Sequence, residues 1–227
     1  MRVDADALRA ACRAGLGAEP PRSAAVTIDG ARALLEWLVA RVARRRMAAD
    51  DVRAGYCARS AREVLAQACV PFTAPCADLS GVAALLLAEQ GFDVTLVLGG
   101  IKRALRHVKF QCGIELDLLG GDGEARTWVV GFGVGRSVLY EGRFLPTPRR
   151  PWVFRRRPEA LDLDRAFLSY FEPEGREGLA RLVPGYDLER DIESHVRRSG
   201  RLSFGLARLR AGGKAEAALR AEPEWAA

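Results

Sequence analysis

The residue best suited to covalent chemistry is a cysteine set directly before a long apolar helix. Cys76 follows Pro75, and nearly every residue from Gly81 to Ala88 is apolar or small. At a helix N-terminus the positive end of the dipole favours the thiolate over the thiol. A thiolate becomes an acyl-transfer nucleophile when an imidazole beside it holds the ion pair and moves the proton. A third group then fixes the imidazole tautomer, and backbone N–H groups stabilise the oxyanion. The chain has two histidines. His107 opens a β-rich segment one strand and one glycine pair, Gly99-Gly100, after the helix, so the chain can turn back towards Cys76. Cys76 is the expected nucleophile, and His107 the expected base and then acid.

Other reactive side chains rank below these two. Cys57, in Gly55-Tyr56-Cys57-Ala58-Arg59-Ser60, also precedes a helix and is the reserve nucleophile, but that helix is shorter. His195 is expected in solvent on an arginine-rich helix face. Asp78 is expected as a first-turn acid, stabilising the helix while its charge opposes thiolate formation at Cys76.

The elements around these residues can be read from pattern. A short helix fills the first stretch and breaks at Gly17-Ala18-Glu19-Pro20-Pro21. Asp29 is expected to cap a second helix, with Leu34, Leu35, Leu38, Val39 and Val42 at helical spacing and an end near Met47. Ser60-Ala61-Arg62-Glu63 is a capping box, and its helix stops before Pro71. Residues 75–90 form the buried helix after Cys76, with Leu79, Val82, Ala83, Leu86 and Leu87 as its stripe and Gly91 beyond its end. Phe92 to Leu98 reads as a strand ending at Gly99-Gly100, and His107 to Leu119 as a long strand. Gly120 to Gly123 is a turn, Thr127 to Phe132 the return strand, and Ser137 to Phe144 a further arm. Pro146 to Pro158 reads as an arginine- and proline-rich strap. Leu161 to Phe171 and Asp187 to Arg198 read as helices, followed by a weakly patterned tail. The expected fold class is α+β: an N-terminal helical part on an antiparallel sheet over 1–146, then a strap and helical extension over 147–227.

The segments Cys76-Ala77-Asp78-Leu79-Ser80 and Leu85-Leu86-Leu87-Ala88-Glu89-Gln90-Gly91-Phe92-Asp93-Val94 resemble the core of transglutaminase-like proteins. Those have a cysteine, an apolar helix, a glycine turn, a strand, a strand opening with histidine, and a strand carrying aspartate. Arylamine N-acetyltransferases share this thiol architecture, and Trp128-Val129-Val130-Gly131-Phe132-Gly133 is similar to their second-strand ending. The resemblance spans about residues 58–140. It implies a peptidase, transamidase or N-acyltransferase working through a Cys76 acyl-thioester. The chain departs from the pattern at the aspartate, where Gly131 or Val129 stands, depending on the alignment. Glu115 and Asp117 lie too far along the strand from His107 to replace it. Asp122 and Glu124 fall in the turn. Two readings follow: a Cys76–His107 dyad oriented by another group, or a relative that has lost catalysis and binds or scaffolds.

Composition bounds the rest. Hydrophobic residues make up 49% of 227, enough for a substantial core. No apolar run reaches the roughly 18 residues of a spanning helix, and the N-terminus lacks a secretion-signal pattern, so a cytoplasmic protein is expected. Five cysteines, an odd number with no CxxC pair, argue against a disulfide framework or a zinc site. Gly131 to Gly135 form no phosphate loop, because no helix opening with Lys-Ser or Lys-Thr follows; no cofactor or metal is expected. The net charge of +6 comes largely from arginine. Few aromatics lie between its clusters and no nucleic-acid motif accompanies them, so nucleic acid is not the expected partner. The expected partners are an acyl donor or peptide substrate, with the basic surface from Arg149 to Arg157 suited to an acidic carrier protein.

Overall fold

The computed structural model describes residues 1–198 apart from Ala24, Arg46, 72–74, 104–106, 120–122, 134–135 and Arg149; at 102, 103, 107, 133 and 136–138 it describes the backbone alone. The glycine turn expected at 120–123, save Gly123, and the tail beyond 198 lie outside the described residues.

Helix α1 (Ala5–Leu16) is capped by Asp4 and ends at Gly17, whose φ of 71° suits a residue without Cβ. Helix α2 (Ile28–Arg41) is capped by Thr27, which accepts from the Gly30 N–H. Asp29, the expected cap, lies instead in the first turn. That helix also ends earlier than expected, because β1 (Ala43–Arg45) pairs in parallel with β2 (Cys69–Pro71). Between them lie α3 (Ala49–Gly55) and α4 (Ala61–Gln67), the latter opened by the full Ser60–Glu63 capping box. Helix α5 (Cys76–Glu89) is buried along almost its whole length, as its apolar sequence requires.

The strands β3 (Val94–Arg103), β4 (His107–Leu119), β5 (Ala125–Gly133) and β6 (Arg136–Glu141) form an antiparallel meander. The expected strap contributes a fifth strand, β7 (Trp152–Arg156), which pairs with β3 and gives the order β6-β5-β4-β3-β7. The boundary expected at 146 therefore falls inside one sheet. Gly99 and Gly100 do not end β3 but lie within it. A Cβ on Gly100 would meet the Trp152 ring at 2.9 Å and Val183 at 3.0 Å, so close packing requires glycine there. The fold is thus α+β with a five-stranded antiparallel sheet.

Alternation along the strands sorts the two faces. Leu96, Leu98, Phe110, Cys112, Ile114, Leu116, Val130 and Phe132 join the main core with α5. Val97, Val129 and Phe144 form a small second core on the other face. Glu115, also on that face, accepts from the Phe144 N–H at 2.6 Å and from Arg155 Nε at 2.8 Å. After β7, the expected helix over 161–171 is reduced to a 3-10 turn at Phe167–Tyr170, and a short helix α6 (Leu179–Leu182) follows. Residues 188–198 form the last described helix, α7. Among the described residues no helix is long and apolar enough to cross a membrane.

Candidate thiol site

Cys76 is the first residue of α5 and is partly exposed. Its N-cap, Pro75, offers no side-chain hydrogen bond, so the amides of the first turn are not taken by a capping group. One of them, the Ala77 N–H, helps to lower the Cys76 thiol. Strand β4 carries Cys112 to the same sulfur, because even-numbered positions of that strand face α5. From there both the thiol and the backbone N–H of Cys112 act to lower the Cys76 thiol.

These contacts set the charge. The hydrogen bond from the Cys112 thiol is the strongest influence holding Cys76 below the ordinary cysteine range, with the two backbone N–H groups adding to it. Burial and the Asp78 carboxylate work against them and do not prevail. The same bond acts oppositely on Cys112, whose thiol burial already pushes well up. Of the two thiols, Cys76 is the one drawn toward the thiolate and Cys112 the one kept protonated. Cys57 lies nearby, at 4% exposure, and burial followed by the neighbouring Cys76 and Asp78 charges drives its thiol well above the usual value. Its backbone is left-handed (φ 54°) in a corner fixed by Arg176, whose Nη1 donates to the carbonyls of Arg53 at 2.7 Å, Ala54 at 3.2 Å and Tyr56 at 3.0 Å. Cys57 is thus unsuited to the reserve role.

Asp78 lies two residues along α5 and is 4% exposed. Arg59 pairs with it through Nε at 3.1 Å and through a second guanidinium nitrogen. The other arm of Arg59 reaches Gln67 Oε1 at 2.7 Å and the Cys69 carbonyl at 3.1 Å. Burial nevertheless raises the Asp78 carboxyl to about 6, with Arg59 opposing the shift. The pair ties the start of α5 to α4 beneath the thiol.

His107 is not delivered to this place by the strand. It opens β4, opposite Arg103, and Cys112 comes five residues later. At 3.3 Å per residue the two backbones stand about 17 Å apart along the strand. The His107 side chain lies outside the described residues. The positions where an aspartate was expected do not face α5 either. Val129 belongs to the second core, Gly131 shares its face by alternation, and the α5 side of β5 presents Trp128, Val130 and Phe132. Glu115 is engaged with Arg155, and Asp117 accepts from Thr127 Oγ1 at 2.6 Å.

His195, expected in solvent, is 7% exposed on α7. Its ring packs 4.9 Å from that of Tyr56, and its Nε2 is 3.6 Å from Asp191 Oδ1. Asp191, fully buried, also accepts from the Tyr56 hydroxyl at 2.8 Å and pairs with Lys109 at 3.2 Å. This hub holds α7 against the Tyr56-Cys57 corner and β4. Cys112 and Arg59 are the site residues the sequence reading missed. The alternation Phe110, Cys112, Ile114 was the available signal for Cys112; nothing in sequence pairs Arg59 with Asp78.

Among the described residues no group of three His, Cys, Asp or Glu side chains is placed to hold a metal ion. Comparisons with known protein families, with curated proteins and with solved structures found no match to this chain.

Proposed function

We propose that the chain carries out thiol-dependent acyl transfer through an acyl-thioester on Cys76. The observation that carries this reading is the placement of Cys76: a partly exposed residue on the first turn of a buried helix, its thiol drawn below the ordinary range by Cys112 and two backbone N–H groups. A thiolate at a helix start is the nucleophile that acyl transfer needs, and first-turn amides suit a developing oxyanion. The transglutaminase-like resemblance of the sequence supports the same chemistry.

The arrangement also narrows the donor. An amide or ester requires a proton for its departing amine or alcohol, which an imidazole ordinarily supplies. A thioester does not: Cys76 attacks the carbonyl carbon, the old carbon–sulfur bond breaks, and the leaving sulfur departs as a thiolate. With β4 holding the His107 backbone far from Cys112, an activated thioester is the donor class the site suits best. The test is intact-mass analysis of the full chain after incubation with a panel of acyl thioesters. A single acyl adduct, mapped to Cys76 and lost in Cys76→Ala, supports the reading; acylation that Cys76→Ala leaves unchanged overturns it.

One observation favours a second reading, a degenerate transglutaminase-like protein acting as a binding or scaffold module. The α5 face of β5 carries no acid, so the third member of the family triad is missing. This reading predicts that Cys76→Ala leaves the protein's biological activity intact.

A further inference from the structure

We propose that the outer edge of β7 is a docking site for an acidic, extended segment of a partner protein, which adds to the sheet as a sixth strand. Strand β7 ends the order β6-β5-β4-β3-β7, and apart from β3 no described element packs along it. In an antiparallel edge strand, alternate residues turn their N–H and C=O groups away from the neighbour. Among the described residues, none bonds to the backbone of residues 152–156 from that outer side. Such a row is a template for another strand.

The two cores also reach this edge incompletely covered. On β3, Leu96, Val97 and Leu98 are fully buried, whereas every residue of β7 is at least partly exposed. Trp152 and Phe154 extend the main core, and Val153 extends the second one. A strand laid beside β7 would therefore cover apolar surface on both faces.

Charge selects the occupant. Arg155 is spent on Glu115, and Arg157 on Asp93. Arg156 is exposed and meets no carboxylate among the described residues. By alternation it shares the face of Trp152 and Phe154. Arg150 lies half-buried over the Phe144 ring at 4.0 Å, also without a carboxylate among the described residues. Its Cδ would stand 2.8 Å from a Cβ on Gly99, which pairs with Val153, so Arg150 belongs to the second-core face. Each face thus presents one guanidinium that the fold has not neutralised. A second copy of this edge would set arginine against arginine, which is unfavourable across paired strands. A segment with a carboxylate on each face, among apolar residues, answers both charges.

The inference stands apart from the acyl-transfer reading, and none of its residues belongs to the thiol site. The test is residue-resolved amide exchange of the full chain with the capped peptide Glu-Val-Thr-Glu-Val-Thr, whose alternation puts one carboxylate on each face. Without peptide, alternate amides of residues 152–156 are expected to exchange fast. At a peptide concentration about ten times its Kd, those amides should slow on the order of tenfold. The Lys-Val-Thr-Lys-Val-Thr peptide, and the acidic peptide N-methylated at alternate residues, should give no such protection. Arg156→Glu, an exposed change that leaves the fold intact, should weaken the acidic peptide and favour the lysine one. Slow exchange of every amide of 152–156 in the free chain would mean that the chain covers its own edge. Protection that grows with protein concentration alone would assign the edge to a second copy. Either result, or protection by the acidic peptide that N-methylation or charge reversal leaves unchanged, would overturn the inference, as would no protection at all.

Discussion

Cys112, in the middle of β4, and Cys76, on the first turn of α5, act on each other in opposite senses, Cys112 drawing the Cys76 thiol down while Cys76 helps push the Cys112 thiol up. The thiolate is therefore held by the sheet as well as by the helix that bears it. A reactive thiol normally relies on an adjacent cation or imidazole. Here a neutral donor of the same element takes that place, and the helix start and two N–H groups supply the remaining stabilisation.

The Arg59–Asp78 pair should be structural. Removing one partner of a buried ion pair leaves an uncompensated charge and costs about 3–5 kcal/mol. Arg59→Met is expected to destabilise the fold by that amount in urea titrations, because Asp78 is 4% exposed. Arg59→Met with Asp78→Leu should recover much of the loss. A loss under about 1 kcal/mol in Arg59→Met would mean that the pair does not anchor α5.

Asp78 also gives a signed pH dependence. Its carboxyl is raised to about 6 in the folded chain, against about 3.9 when unfolded. Between those values the folded state keeps a proton that the unfolded state has lost. The contribution of Asp78 therefore favours the fold at low pH and is lost as pH rises from about 4 to about 6. Subtracting the stability profile of Asp78→Asn from that of the parent should expose this falling limb, and a difference that rises with pH over the window would contradict it.

Much of the architecture was legible because apolar periodicity and caps act locally. The capping box at Ser60, the helix starting at Cys76 and the strand from His107 to Leu119 all follow from residues within one turn or one pleat. What escaped was set by distant partners. Trp152 to Arg156 reads as a strap until β3 offers it an edge, and Gly99-Gly100 reads as a strand end until Phe144 and Trp152 cover it. His195 reads as solvated until Tyr56 and Asp191 enclose it. The place of Cys76 at the start of α5 could be read from its position alone. Its partner depended on strand register, which places Cys112 rather than the His107 backbone beside the helix start.

Asp191 should be the anchor of α7. It accepts from Tyr56 and pairs with Lys109 in a fully buried position. Asp191→Ala would strand those donors and is expected to cost about 3–5 kcal/mol. Amide exchange across 188–198 should accelerate with it. Unchanged exchange there would show that the helix is held by its apolar contacts instead.

The most direct test of the central claim is the pH dependence of alkylation at Cys76, followed by peptide mass mapping in the full chain. Cys76 is predicted to react with a midpoint below the roughly 8.5 of a free cysteine, ahead of the other four cysteines. Cys112→Ala should raise that midpoint, Cys112→Ser should keep it low by retaining a donor, and His107→Ala should leave it unchanged. A Cys76 that titrates as an ordinary or buried thiol, or that responds to His107→Ala and ignores Cys112→Ala, would contradict the account.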